Sequence, residues 1–483
     1  MAGARTRLAL MAGAASLLVS AGPAWADTLK DALLGAYNTN PTLMAARAEQ
    51  RANDENVPIN RASGLPSLSG TVTYTEQMRD IVPDPLDTAA DRTLGAGLTL
   101  SIPVYSGGAV KNSVRAAQTR VVAGQATLRA TESSIFSQVV GAYMDVILQE
   151  AIVGLTTNNV NVLRVNLEAT GDRFEIGDLT RTDVAQSEAR LALAEGELRT
   201  AQANLVSARE RYIQLVGSVP QDLQAPPPLP GLPVNVAEAE DTALGSNPDL
   251  IAAREQARAS AFDIDVAGAG RLPRLEVFTS GTYNDSLGSA PGSQYPGSAT
   301  GASAGIRATI PLFQGGRPAA EERQAQARSA AALEQEIGTE RSVIAQVRAA
   351  YSSWQASTAI INSTQSAVAA AELSLEGVRA ENTVGNRTIL DILDAQQELL
   401  RSQVQLVTAR RNAYVAGFSL LAAMGRAEAR DLGLMDETPL YDPQVNYERV
   451  RGKIWDWASD PDPEAQSTRT VDTPAQDGNI PAQ

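Results

Sequence analysis

Ile102-Pro103-Val104-Tyr105-Ser106-Gly107-Gly108 recurs as Ile310-Pro311-Leu312-Phe313-Gln314-Gly315-Gly316, an offset of 208 residues. Each copy closes a run of alternating residues and opens a long stretch without proline, so it marks a boundary between two kinds of structure. Asn40-Pro41 returns as Asn247-Pro248 and Leu65-Pro66 as Leu272-Pro273, both at 207. Gly177 and Asp183 return as Gly385 and Asp391 at 208. Landmarks in one order at nearly one offset mark an internal duplication. The first repeat spans residues 27–219 and the second 236–426. Residues 220–235 join them and include Ala225-Pro226-Pro227-Pro228-Leu229-Pro230-Gly231, too rich in proline for a helix or strand interior.

Each repeat opens with a helical pattern, visible as Leu29, Leu33, Ala36 and Leu43. Strand-like alternation follows. Leu68, Gly70, Val72 and Tyr74 alternate with Ser69, Thr71 and Thr73, and Leu94, Ala96, Leu98, Leu100 and Ile102 form a second run. Their counterparts are Leu275, Val277, Thr279, Gly281 and Tyr283, then Ala302, Ala304, Ile306, Ala308 and Ile310. Turn-rich stretches at 80–91 and 284–300 separate the two runs of each pair. A period of two gives each strand one apolar and one polar face. Two readings fit: an antiparallel sheet on a soluble core, or a membrane barrel with its apolar face to lipid. In the second, Leu68, Val72, Tyr74, Leu98, Leu100, Val277 and Ile306 face lipid.

Helix dominates the remainder. Proline is absent from Val104 to Val219 and from Ala319 to Thr438. Gly108 to Gly177, as one helix, would be about 100 Å long, a rod suited to crossing a compartment. In the returning helices Val184, Leu191, Leu198, Leu205 and Tyr212 fall seven apart, as do Ile392, Leu399, Leu406, Ala413 and Leu420. Three residues after each come mostly small ones: Ser187, Ala194, Ala201, Ala208 and Leu215, then Ala395, Ser402, Ala409, Ala416 and Ala423. Large and small residues alternating at heptad positions predict a closely packed coiled-coil seam.

Composition narrows the function. Residues 1–26 read as a secretory signal: Arg5 and Arg7, an apolar stretch from Leu8 to Ala21, and an Ala24-Trp25-Ala26 cleavage site. No later segment looks long and apolar enough to span a bilayer, the best being Ala413 to Met424. The chain carries 40 basic and 55 acidic residues, net −15, and two fewer positive charges after signal removal make −17. An acidic surface argues against nucleic acid as a partner. Cysteine and histidine are absent, and aromatics are only 4%. That excludes disulfides and thiol or histidine chemistry, and no phosphate-cradling loop or metal cluster stands out. Neither an enzyme nor a cofactor is predicted.

Four strands cannot close a membrane barrel, and open edges are not tolerated in lipid. If the strands are in a membrane the chain must oligomerise. Two copies give a barrel filled by side chains, while three give twelve strands and room for an aqueous bore. The competing reading is a periplasmic or surface coiled-coil adaptor or adhesin without channel activity.

Val384-Gly385-Asn386-Arg387-Thr388-Ile389-Leu390-Asp391-Ile392-Leu393-Asp394-Ala395 resembles the periplasmic tip motif of the TolC family of outer-membrane efflux and type I secretion proteins. The duplication and the paired Ile-Pro-x-aromatic-x-Gly-Gly boundaries match as well, over about residues 28–426. The resemblance implies an α+β membrane channel-tunnel: a homotrimer with a 12-stranded transmembrane β-barrel, four strands per chain, continuing into a long α-helical coiled-coil barrel. It implies an outer-membrane location, with an inner-membrane pump of ABC or RND type and a periplasmic adaptor as partners. Cargo would be secreted protein, small toxic molecules or both. With no cysteine at the expected mature N-terminus, the TolC-like branch and protein secretion are favoured over the lipidated drug-efflux branch.

The resemblance also assigns the tip. Arg387 would latch the closed entrance to Thr182 and Asp183 of the neighbouring coil. The family's tip tyrosine is Asn382 here, which could still bond Asp183. Asp391 and Asp394 match the carboxylates of the entrance constriction. Read from the residues alone, Thr180-x-x-Asp183 and Thr388-x-x-Asp391 are capping boxes at helix starts. Asp394 lies one turn deeper, where capping does not explain it. Outside the repeats, residues 427–483 are expected to form an equatorial segment, with Tyr441 to Trp457 as a belt, and a disordered tail from Asp460.

Overall fold

The computed structural model describes residues 27–76, 78, 92–287, 297–436 and 439–480. The expected signal segment, the first turn region and the middle of the second lie outside the described residues.

Each half begins with two helices where one helical stretch was expected. Helices α1 (Leu29–Thr39) and α2 (Pro41–Asp54) are broken at Asn40, and their twins α6 (Val236–Ser246) and α7 (Pro248–Gly268) at Asn247. Proline excludes helical geometry from the residue before it, so Asn40 adopts φ −67° and ψ 122°. Pro41 then serves as the first residue of α2, where no amide donor is needed. The Asn40 side chain caps α2 by accepting from the Thr42 and Leu43 amides. Its own amide donates to the Leu215 carbonyl at 3.0 Å. Asn247 does the same for α7 and donates to the Ala423 carbonyl at 2.9 Å. The repeated Asn-Pro therefore ties each opening helix pair to the end of that half's returning helix.

A short helix, α3 (Asn56–Ala62), leads into the sheet. Strands β1 (Ser67–Glu76), β2 (Arg92–Tyr105), β3 (Arg274–Ser286) and β4 (Ser298–Thr309) form one antiparallel sheet in the order β1-β2-β3-β4. The central β2–β3 pair joins the two halves. Its register places Ile102 opposite Val277 and Leu100 opposite Thr279. Leu68 stands opposite Leu100, and Val277 opposite Ile306. Directly paired residues share a face. All the alternating apolar residues of the four strands therefore lie on one side. The other side carries Ser69, Thr71, Thr73, Thr99, Ser280 and Ser303. It also carries Glu276, which accepts from Arg307 at 2.7 Å and from Ser101 at 3.3 Å. Phe278, the one large apolar side chain there, lies under the Arg307 guanidinium, 4.8 Å from its ring centre. Neither face is buried by the rest of the chain: on the apolar side Val72 is 78% exposed and Ile306 70%, and on the other Ser69, Thr71 and Thr73 are exposed.

The boundary motif acts at the end of the sheet. β2 shifts register with β3 between Pro103 and Tyr105. Gly107 and Gly108 then turn the chain with φ of 65° and 85°, as Gly315 and Gly316 do at 61° and 82°. Glycine has no Cβ to oppose positive φ. At Gly107 a Cβ would also stand 2.8 Å from Leu272.

From these turns run α4 (Ala109–Glu175) and α8 (Arg317–Thr383), 67 residues each and about 100 Å long. They return as α5 (Arg181–Val216) and α9 (Ile389–Ala423). Along α5 and α9 the small seam positions Ser187, Ala194, Ala201, Ser402 and Ala409 are buried, the close approach expected of the heptads. Helix α4 corrects one expectation. It contains a window of mean hydropathy 1.4, long and apolar enough to cross a bilayer. Instead Phe136, Val139, Val140, Tyr143 and Val146 of this helix are buried in the main core with Leu33, Ala36, Tyr37, Leu205 and Phe418.

The linker is held rather than free. Tyr143 donates to the Gln224 carbonyl at 2.6 Å, and its twin Tyr351 to the Val234 carbonyl at 3.2 Å. After the repeats, α10 (Pro443–Val450) packs on α2, with Asn446 donating to Asp54 at 2.7 Å. Tyr441 packs there too, whereas Trp455 and Trp457 are exposed in one protomer. The tail departs from the disorder that its polar composition suggests. Residues 460–480 include a segment lying along α5, where the nearly buried Arg209 donates to the Asp477 and Asn479 carbonyls at 2.9 and 3.1 Å. Glu150 accepts from the other nitrogen of that guanidinium. A buried cation needs acceptors, and the tail's backbone supplies them.

Candidate entrance at the helical tips

Each helical hairpin turns with the same two devices. At the end of α4, the Gly177 amide donates to the Phe174 carbonyl and the Asp178 amide to the Arg173 carbonyl, with Gly177 at φ 85°. At the end of α8, Gly385 and Asn386 donate to Asn382 and Glu381, with Gly385 at φ 80°. This is a Schellman closure, and it explains why glycine recurs at the offset. Thr180 and Thr388 then open α5 and α9 as capping boxes, closed by Asp183 and Asp391. Hydrogen bonds from the threonine side chain and backbone hold both carboxyls below the ordinary aspartate range.

Ion pairs brace both turns with the charges exchanged. In the first half Arg173 pairs with Asp178 at 2.6 Å. In the second, position 381 is Glu, and Arg387 pairs with it at 2.7 Å. Arg387 also lies 3.7 Å from Asp391. The Glu381 hydrogen bond and charge raise the arginine's already high pKa further. The Asn382 amide donates to the Arg387 carbonyl at 2.7 Å, within its own turn. Within one protomer, therefore, Arg387 and Asn382 are engaged locally, Asp183 bonds Thr180, and Thr182 is exposed.

Asp394 is placed differently. Its carboxylate accepts from Arg190 of α5 at 2.6 Å, a bond between the two halves. The preceding residue, Leu393, is 2% exposed in a cluster with Val160, Leu163 and Ala194. Gln396, nearly buried, meets Asn159 and Asn166 of α4 at 3.5 and 3.4 Å. Sequence reading misses Glu381, Arg190 and Gln396 as tip residues, and names Leu393 within the tip motif without giving it a role. Glu381 was reachable, since its twin Arg173 faces an acidic Asp178. Arg190 was not, because its partner lies 204 residues away in the other half.

The tips are thus paired turns with acidic helix starts, at the far end of about 100 Å rods from a sheet whose edge strands are β1 and β4. The sequence profile of the outer membrane efflux protein family matches residues 35–218 and 240–426, both repeats almost entirely. The chain belongs to that family.

Outer membrane efflux protein BepC of Brucella suis is 33% identical over 432 residues, covering 89% of this chain and 92% of BepC. Outer membrane protein TolC of Escherichia coli is 27% identical over 84% of each chain. Alkaline protease secretion protein AprF of Pseudomonas aeruginosa is 26% identical over 87% of this chain and 89% of AprF. The crystal structure of the CmeC outer membrane channel of Campylobacter jejuni has the same fold, with a TM-score of 0.74 at 16% identity, covering 88% of this chain and 89% of CmeC. The chain is an outer-membrane export channel protein. Its fold is the expected α+β channel-tunnel fold, a four-stranded antiparallel sheet that continues into two long helical hairpins. The adaptor or adhesin alternative falls away.

Proposed function

We propose that three copies form the exit duct of a tripartite exporter, fed by an inner-membrane pump of ABC or RND type through a periplasmic adaptor. The observation that carries this is the continuity of the chain. Each protomer offers two unpaired strand edges at one end and an acidic, twice-braced hairpin tip at the other. Lipid requires the edges to be closed, and β4 of one copy beside β1 of the next closes them. Leu68, Val72, Tyr74, Leu98, Leu100, Val277 and Ile306 then face lipid, and the Glu276–Arg307 side faces the bore.

The tip is the entrance. Asp391 and Asp394 ring its constriction, six carboxylates in a trimer. Arg387, exchanging Glu381 for Thr182 and Asp183 of the neighbouring coil, latches it shut. Asn382 contributes by shaping the Arg387 turn. For cargo we infer secreted polypeptide as well as small toxic molecules. BepC is named for efflux and AprF for protease secretion, and both align along the whole tunnel. Deleting the gene and comparing the proteins in the culture medium and the susceptibility to toxic compounds tests this. Loss of one or more secreted proteins together with heightened susceptibility is expected. An unchanged secreted set refutes the polypeptide cargo, and unchanged susceptibility refutes the small-molecule cargo.

A further inference from the structure

Near the tip, the two hairpins of one protomer must be held to each other by something other than the residues assigned to the latch. Asn382 spends its amide on the Arg387 carbonyl, and Arg387 spends its guanidinium on Glu381 and Asp391. Asp183 closes its own capping box. Among the described tip residues, the short charged bond from one hairpin to the other is Arg190 to Asp394, at 2.6 Å. The Gln396 bonds to Asn159 and Asn166 are long, at 3.5 and 3.4 Å. The pair has no counterpart by symmetry. The residues matching Arg190 and Asp394 at the 208 offset are Glu398 and Gln186, so duplication cannot have supplied it twice.

We propose that Arg190–Asp394 is the intrachain clasp of the entrance, and that it couples opening to ion selectivity. While the clasp is closed, a guanidinium faces the deeper carboxylate of the constriction. When the α8–α9 hairpin moves away from α4–α5, that carboxylate is released uncompensated toward the bore. Opening and the gain of negative charge are then one event. Such charge next to a pore favours cations. The inference rests on the reading of the tip as the channel entrance.

The full-length trimer in planar lipid bilayers tests it, with Arg190→Ala, Asp394→Ala, the charge swap Arg190→Asp/Asp394→Arg, and Arg387→Ser measured alongside. Both alanine variants should raise the open fraction, on the order of three- to a hundredfold for three exposed pairs lost together. Arg190→Ala should also shift the reversal potential toward cations, and Asp394→Ala away from them. A merely structural pair would not move the two in opposite directions. The swap should return the open fraction toward that of the unaltered protein. An unchanged open fraction in Arg190→Ala, or a swap as leaky as the single variants, overturns the clasp. If Arg387→Ser opens the channel and Arg190→Ala does not, the latch stands and the clasp falls. If Arg190→Ala opens it and Arg387→Ser does not, the clasp stands and the latch falls.

Discussion

Replacing Leu393 by alanine should loosen the entrance from inside the protomer. Leu393 is 2% exposed, on the second turn of α9, and it packs with Val160 and Leu163 of α4 and Ala194 of α5. It is therefore the apolar anchor between the two hairpins, directly beside the charged one. Truncating a buried leucine costs about 2–5 kcal/mol, made of lost transfer energy and the cavity left behind. Long rods cannot collapse around a gap as readily as short loops, because each helix is braced along its whole length. Even the low end of that range is roughly thirtyfold in a local opening equilibrium. The assay is hydrogen exchange on the full-length protein in detergent. Amides of residues 389–400 should exchange about thirtyfold faster or more, while those of β1 to β4 keep their protection. Leu393→Ala combined with Val160→Ala should deviate from additivity, since both side chains share one cluster. Exchange of α9 within about threefold of the unaltered protein, against the roughly thirtyfold expected, would refute the anchoring role.

Arg387→Ser should raise single-channel conductance, because both the turn brace to Glu381 and the proposed latch are lost; unchanged conductance counts against it. Gly425→Ala should prevent a stable trimer in thermal melts, since a Cβ there would collide with the Ser246 carbonyl, at a φ of 72°. Gly433→Ala, at φ 68° with open space around it, should lose only the left-handed strain of about 1–2 kcal/mol. Acid should fray the tip turns selectively. Asp183 and Asp391 are held below their ordinary value of 3.8, so their contribution is complete above that pH and is lost as pH falls through the depressed values. Exchange of the Asp183 and Asp391 amides should therefore be steady from neutral pH down to about 4, once corrected for intrinsic rates, and accelerate below it. In Asp391→Asn that acceleration at the second tip should vanish.

Much of the entrance was legible because its devices are local. Gly177 and Gly385 announce Schellman closures, and Thr180 and Thr388 announce caps, since each motif needs only a few neighbouring residues. The strand phase was legible for the same reason: alternation is a property of the chain, and the register put the expected apolar residues on one face, apart from Ile310, which lies just past the end of β4. The Asn-Pro breaks were visible as repeats but not as joints. Their tie to Leu215 and Ala423 spans more than 170 residues. The order of the tail was hidden because composition reports on what a segment can bury. It does not report that Arg209, elsewhere in the chain, needs more acceptors than Glu150 supplies.

By itself the sequence determined the duplication, the lengths of the rods, the two-faced strands and the chemistry of each tip turn. These follow from periodicity and from the backbone preferences of glycine, proline and threonine. Only the tertiary structure decided that β2 pairs with β3 and so makes one sheet of two halves, and that Arg190 meets Asp394. Both are contacts between distant segments, set by how the rods pack, and no local preference encodes them.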